Sequence, residues 1–311
     1  MNDSDTNTVQ AGDKASLYYE IANLVMRVLL PPAVNPDKVL PSFRPFLRDT
    51  DAGQLVSTVK VNFDPLEEDI TATKLLSEES LVWGDHFQFR ESEAYYYTVL
   101  RAGNGVCEWK MRSTKDFSTN DVYAVKQEIY STNVLAWLLM VTFAQAALPY
   151  DTVLIHASVV ERAGLGVAFL GKSGTGKSTH SRLWLTNLAN FQLLNDDNPA
   201  LRIAPDNSVW IHGTPWSGKT PCYRDLGVRL QAVVRLTQAK ENSFQWKKGK
   251  EALITLLPSG SALRWNSGLF AAMTSIFQRV QEQVAVGNLR CLPNAEAAEM
   301  CYAAIEQKQT N

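Results

Sequence analysis

The chain has little cysteine, four residues in 311 (Cys107, Cys222, Cys291 and Cys301), and no Cys-x-x-Cys pair. That excludes a disulfide-stapled scaffold and offers no zinc-binding spacing. The thiols are expected to be reduced and buried or half-buried, as in a cytosolic protein. Neither sign of charge dominates: the net charge is −2 and the pI about 6.1. Such a balance gives no strongly basic surface, so no nucleic-acid partner is expected. Long hydrophobic runs are missing too. The longest, Val134 to Ala144, stops at Gln145 and is too short to cross ~30 Å of hydrocarbon as a helix. It is expected to be a buried helix, and no membrane partner is expected. Met1 to Asp13 is polar and acidic, without a basic segment leading into an apolar one, so no secretory signal is expected and the expected location is cytoplasmic. Internal repeats and low-complexity tracts are also absent.

What is present is an ordinary globular composition, 45% apolar and 20% charged, at a length that suits two domains of roughly 100–200 residues. Residues 1–14 have the composition of a disordered tail. An N-terminal α+β domain of unknown role is expected over 15–150, and a second domain over 151–311, with Pro149 and Asp151 at the boundary. Residues 17–30 fit strand and helix periodicity equally, and Pro31-Pro32 ends them. Strands are expected at 55–61 and 122–125, with a hairpin of 95–101 and 106–111 turning through Ala102-Gly103-Asn104-Gly105. A helix is expected over 132–148. The second half predicts strands at 152–160, 167–170, 191–194, 200–203, 209–211, 231–236 and 244–246. Its helices are expected after residue 178, at 250–257, at 269–284 and at 295–307.

Within that half, Gly171-Lys172-Ser173-Gly174-Thr175-Gly176-Lys177-Ser178 satisfies G-x-x-x-x-G-K-[ST] at every fixed position. Glycines let successive backbone N–H groups turn inward around a di- or triphosphate. Lys177 can then reach the β- and γ-phosphates, and the Ser178 hydroxyl is placed for Mg²⁺. Val167 to Leu170 supplies the preceding strand, and Thr179 to Asn187 the helix whose N-terminus favours an anion.

A phosphoryl-transfer site also needs an acid, to hold the metal or to accept a proton. Asp196-Asp197 follow the apolar run Phe191 to Leu194 one helix later, at a strand end. Two adjacent carboxylates permit both roles, and the sequence does not say which acid takes which. His156 lies on the strand before the P-loop hairpin and shares a face with Ser158 if that strand alternates. Gly213-Thr214-Pro215-Trp216-Ser217-Gly218-Lys219 is a strand-end loop. In it Trp216 is a candidate to pack on a base or substrate, and Lys219 to neutralise a transferred phosphate. Trp184, Trp137 and Tyr95 to Tyr97 read as packing residues.

The order His156, Gly164/Gly166, Gly171 to Ser178, then Asp196-Asp197 resembles the HPr kinase/phosphorylase superfamily, whose catalytic core is shared with ATP-dependent phosphoenolpyruvate carboxykinase. The resemblance covers about residues 152–220. It implies a mixed α/β fold of the HPr kinase C-terminal type, with a mixed β core, the P-loop on one edge and helices around it. It implies ATP and Mg²⁺ as cofactors and His156 as an active-site residue near the reacting phosphate. One of Asp196 and Asp197 would be general base, and the other a metal-associated acid. Thr179 stands where the family usually has Glu, and the family's Glu-Arg-Gly signature is missing, so the reverse, phosphate-removing activity is not expected. Residues 1–150 do not resemble the family's N-terminal domain. Family members often form oligomers, so a homo-oligomer is consistent with the resemblance.

The expected function is therefore an ATP-dependent kinase that moves the γ-phosphoryl group to a serine-like hydroxyl on a protein, peptide or small molecule. The candidate catalytic residues are Asp196, Asp197, His156 and Lys177. The nucleotide-binding candidates are Gly171, Ser173, Gly174, Thr175, Gly176, Lys177, Ser178, Thr179 and Lys219, and the metal candidates Ser178 and Asp196. The alternatives are a carboxykinase-type enzyme, for which the chain is short and has no arginine-rich segment, and a non-catalytic nucleotide-binding regulator.

Overall fold

Two mixed β-sheets carry the chain in this computed structural model, which describes residues 15–50, 52–80, 86–103, 106–218 and 220–310. The expected tail, part of the 102–105 turn and Lys219 therefore lie wholly or partly outside the described residues. The first sheet contains β1 (Ala15–Ile21), β2 (Leu24–Leu30), β3 (Leu47–Arg48), β4 (Gln54–Asn62), β5 (Lys74–Ser80), β6 (His86–Glu91), β7 (Tyr95–Arg101), β8 (Trp109–Thr114) and β9 (Thr119–Tyr123). Their order is β3-β1-β2-β4-β9-β8-β7-β6-β5. The ambiguous 17–30 segment is a β-hairpin. Ala22 and Asn23 turn it with φ of 52° and 58°, a two-residue turn whose backbone matches strand twist. Two short elements follow: α1 (Pro36–Val39) and a 3₁₀ turn at Pro41–Phe46. The apolar run forms α2 (Val134–Ala146), and it packs into the core of this sheet together with Phe43, Phe46, Trp109 and Phe117.

The second sheet contains β10 (Thr152–Leu154), β11 (Ala157–Arg162), β12 (Leu165–Leu170), β13 (Gln192–Asp197), β14 (Ala200–Ile203), β15 (Val209–His212), β16 (Gly227–Gln238), β17 (Ser243–Lys247) and β18 (Ala285–Cys291). The order is β10-β14-β15-β16-β12-β11-β13, with β18 and then β17 branching from β16. Its helices are α3 (Lys177–Asn187), α4 (Gly249–Leu256), α5 (Ser267–Gln283) and α6 (Ala295–Thr310). Alternation along the strands feeds two cores. Val167, Phe169, Val234 and Leu236 pack with Trp184 of α3 and Ala298, Cys301 and Ile305 of α6. Ala168, Leu170 and Val233 pack with Leu256 of α4 and Met273, Ile276 and Phe277 of α5.

Three expectations need correction here. The P-loop does not rise from a sheet edge: β12 is interior, antiparallel to β11 and parallel to β16. The expected 152–160 strand is two strands, β10 and β11, which pair with different neighbours. The break falls at His156, whose N–H donates to the Ser259 carbonyl (2.7 Å) and not to a strand ladder. Finally, Cys107 is exposed and not buried or half-buried; all four cysteines are free thiols. No helix among the described residues is long and apolar enough to cross a membrane.

Candidate active site

The P-loop connects the last residue of β12, Leu170, to the first of α3, Lys177. Gly174 and Gly176 adopt φ of 78° and 104°, the left-handed region where a side chain would be strained. A β-carbon on Gly174 would meet no atom within 4 Å, so the space beside this glycine is open. Helix α3 starts with Gly176 as its cap, no side chain capping it and no acidic residue in its first turn. Its first N–H groups are left for an anion. Ser173, Ser178 and Thr179 are exposed around the same opening, with Thr175 half-buried.

Lys177 is only 9% exposed. Its ammonium donates to Nε2 of His156 (2.8 Å) and to the Gly171 carbonyl (3.1 Å). An ammonium has three N–H donors, so one remains for a phosphate oxygen. Burial pushes the Lys177 pKa down, Asp197 and Asp196 pull it back up, and Arg235 pushes it down again. Nδ1 of His156 lies 3.0 Å from Oδ1 of Asp197. With Lys177 donating to Nε2, the neutral ring carries its proton on Nδ1 and donates it to the carboxylate. Asp197, His156 and Lys177 thus form one hydrogen-bonded chain that ends at the P-loop.

The two acids separate by sheet face. Ser158 pairs with Asp196 and Ala157 with Asp197 across β11 and β13, and directly paired residues share a face. Ser158 Oγ shares a hydrogen bond with Ser181 Oγ of α3 (2.6 Å), so Asp196 belongs to the α3 face. Asp197 belongs to the other face, beside His156. Asp196 is 5% exposed, and its carboxylate has no hydrogen-bond or ion-pair partner among the described residues. Asp197 is the accessible acid, with its side chain 33% exposed, and its Oδ2 accepts from Asn198 Nδ2 (2.9 Å).

Asn195 holds this pair. It is fully buried; its Oδ1 accepts from the N–H groups of Asp197 (3.0 Å) and Asn198 (3.1 Å). Its Nδ2 donates to Thr214 Oγ1 and to the carbonyls of Thr214 and Trp216, each at 3.3 Å. The 213–218 loop is thereby strapped to the acids, and Asp197 forms a bridge with Ser217. Trp216 does not face a ligand as expected. It is 5% exposed and packs on Phe43 and Phe143, and its Nε1 donates to the Ala136 carbonyl (2.9 Å). The core around α2 offers a large apolar slot with an acceptor at its end, and an indole fits both. Ser158, expected beside His156, is instead on the α3 face.

Sequence reasoning missed Asn195, Gly218, Ser259 and Arg235. A signal existed for one of them: Arg235 interrupts the apolar run Ala232-Val233-Val234-Arg235-Leu236.

No family model matches the chain, nor does any curated protein. Among solved structures the chain is similar to the Hpr(Ser) kinase/phosphatase from Coxiella burnetii. The TM-score is 0.32 at 10% identity, over 50% of this chain and 90% of that one. With so low a TM-score the likeness says nothing about what the site does, and that has to come from its residues.

Proposed function

We propose that the protein is an ATP-dependent phosphotransferase that moves the γ-phosphoryl group to a serine-like hydroxyl of a protein, peptide or small molecule. The observation that carries this reading is the chain Asp197–His156–Lys177, which ties a carboxylate to the lysine of a phosphate-binding loop. Phosphoryl transfer asks a protein mainly for positioning and charge stabilisation. Lys177 has an N–H left for a γ-oxygen, and the open N-terminus of α3 faces the other phosphates.

The roles of the two acids follow from their surroundings. Asp197 is accessible, and His156 fixes its orientation; it accepts the proton of the incoming hydroxyl. The hydroxyl oxygen then bonds to the γ-phosphorus, the bond from that phosphorus to the β–γ bridging oxygen breaks, and ADP leaves. Asp196 and Ser178 suit Mg²⁺: both are oxygen donors, and the carboxylate of Asp196, a residue 5% exposed, has no hydrogen-bond or ion-pair partner among the described residues. The ion would offset charge on the β- and γ-oxygens.

Calorimetric titration with ATP and Mg²⁺, alongside consumption of γ-labelled ATP, tests this. Wild type is expected to bind, and Lys177→Ala to lose binding. Asp197→Asn should keep binding while phosphoryl transfer falls by about 10²–10⁴, the usual contribution of a positioned base. Asp196→Asn should lose the Mg²⁺ dependence of binding. Absence of ATP binding by wild type sinks the reading. Binding with no consumption in any variant or in wild type replaces it with a nucleotide-binding regulator.

A further inference from the structure

Arg235 is a charged residue in the interior of the second sheet. It sits on β16 opposite Leu170, the last residue before the P-loop, and opposite Asn288 on its other side. Its strand neighbours Val233, Val234 and Leu236 are buried. The half-buried guanidinium donates from Nε to the Thr255 carbonyl (2.8 Å) and from Nη2 to Ser259 Oγ (2.9 Å). A guanidinium has five N–H donors, so three are left. Arg48, Arg112, Arg224 and Arg279 each close on a carboxylate; Arg235 has none among the described residues. Desolvating a cation without a counter-charge is unfavourable, which leaves this one suited to an anion from outside the chain.

Its position says which anion. Ser259 accepts from Arg235 through its hydroxyl and from the His156 N–H through its carbonyl, so one residue fixes the guanidinium and the His156 backbone together. Arg235 also acts electrostatically on the Lys177 ammonium. By strand alternation Arg235 lies on the opposite face of β16 from Gln238, whose amide reaches the carbonyls of Gly174 and Thr175 at the loop's crest. Arg235 is therefore on the Lys177–His156 side, where Asp197 awaits the hydroxyl.

We propose that Arg235 is a second cationic contact for the terminal phosphate of the nucleotide, on the His156 side of Lys177. This rests on the nucleotide reading above. A planar fork fits phosphate oxygens in a way that a lysine does not.

The test is titration of Mg²⁺·ATP and Mg²⁺·ADP into wild type, Arg235→Gln and Arg235→Lys. The expected result is ATP binding weakened by about tenfold or more in Arg235→Gln, ADP binding changed by less than about twofold, and partial recovery for ATP in Arg235→Lys. Arg235→Gln also frees the Thr255 and Ser259 partners. If it does not fold, the same ATP-against-ADP comparison in Arg235→Lys, read as nucleotide-induced rise in melting temperature, decides the matter. Equal weakening for both nucleotides assigns Arg235 to tying β16 to α4 and overturns the proposal, as does no change for either. In both cases wild-type ATP binding would leave the phosphotransferase reading standing. Wild type that binds neither nucleotide overturns both.

Discussion

The amide of Gly218 donates to the carbonyl oxygen of Asp196 at 2.9 Å. A β-carbon at Gly218 would stand 2.8 Å from that same oxygen and 3.4 Å from the β-carbon of Asp197. The loop and the acidic pair approach so closely that only glycine fits without movement. Gly218→Ala is expected to push the Asp196-Asp197 backbone on β13 aside while leaving the P-loop in place, since it follows β12 and β11 lies between the two strands. Nucleotide affinity measured by calorimetry should stay within about threefold. Phosphoryl transfer should fall at least tenfold, since small displacements of a positioned group are costly. A variant with unchanged transfer would show that the loop does not govern the acids.

Two residues earlier the same loop is anchored in the core of the first sheet. Trp216 inserts between Phe43 and Phe143 and donates to Ala136 on α2. Trp216→Ala is expected to destabilise the protein by about 3–5 kcal/mol, as large buried aromatics do on truncation. Trp216→Phe keeps most of the packing and leaves the Ala136 carbonyl without its indole donor; the expected cost is about 1 kcal/mol. Urea denaturation distinguishes the two. Because the Trp216 carbonyl accepts from Asn195, Trp216→Ala should also lower transfer activity under conditions where the fold is intact. A loss of stability alone would confine Trp216 to packing.

The local structure around the glycine loop was legible, since it rests on short-range pattern: strand, glycine loop, helix and an acidic pair at the end of a strand. What escaped were features set by distant partners. Residues 152–160 read as one strand because the run is mostly apolar and has no glycine or proline to break it; at the break, the His156 N–H bonds to Ser259 instead of a neighbouring strand. Strand β18 was missed because Gly287 and Asn288 are poor strand formers, and its place is fixed by pairing with both β16 and β17. The hairpin of β1 and β2 turns at Ala22-Asn23 with no glycine to mark it. Trp216 read as a ligand-facing residue because nothing in its loop reveals the slot that the α2 core offers.

Two buried histidines make stability depend on pH in a specific window. His180 sits on α3 and accepts from Trp184 Nε1 (3.1 Å); His212 ends β15 against Gly227. Burial pushes both pKa values down to about 4, from about 6.5 in the unfolded chain. For His212 the Arg202 charge adds to the fall and Asp225 opposes it. As pH drops below 6.5 the unfolded state takes up protons that the folded state refuses, so stability present above 6.5 is lost progressively toward pH 4. Each histidine contributes roughly 3 kcal/mol at most over that window. Urea denaturation at pH 7, 6 and 5 should show stability falling on acidification. His180→Gln, which keeps an acceptor for Trp184, and His212→Gln should each flatten the slope by about one proton's worth, or about 1.4 kcal/mol per pH unit. An unchanged slope in both variants would mean that other groups carry the acid sensitivity.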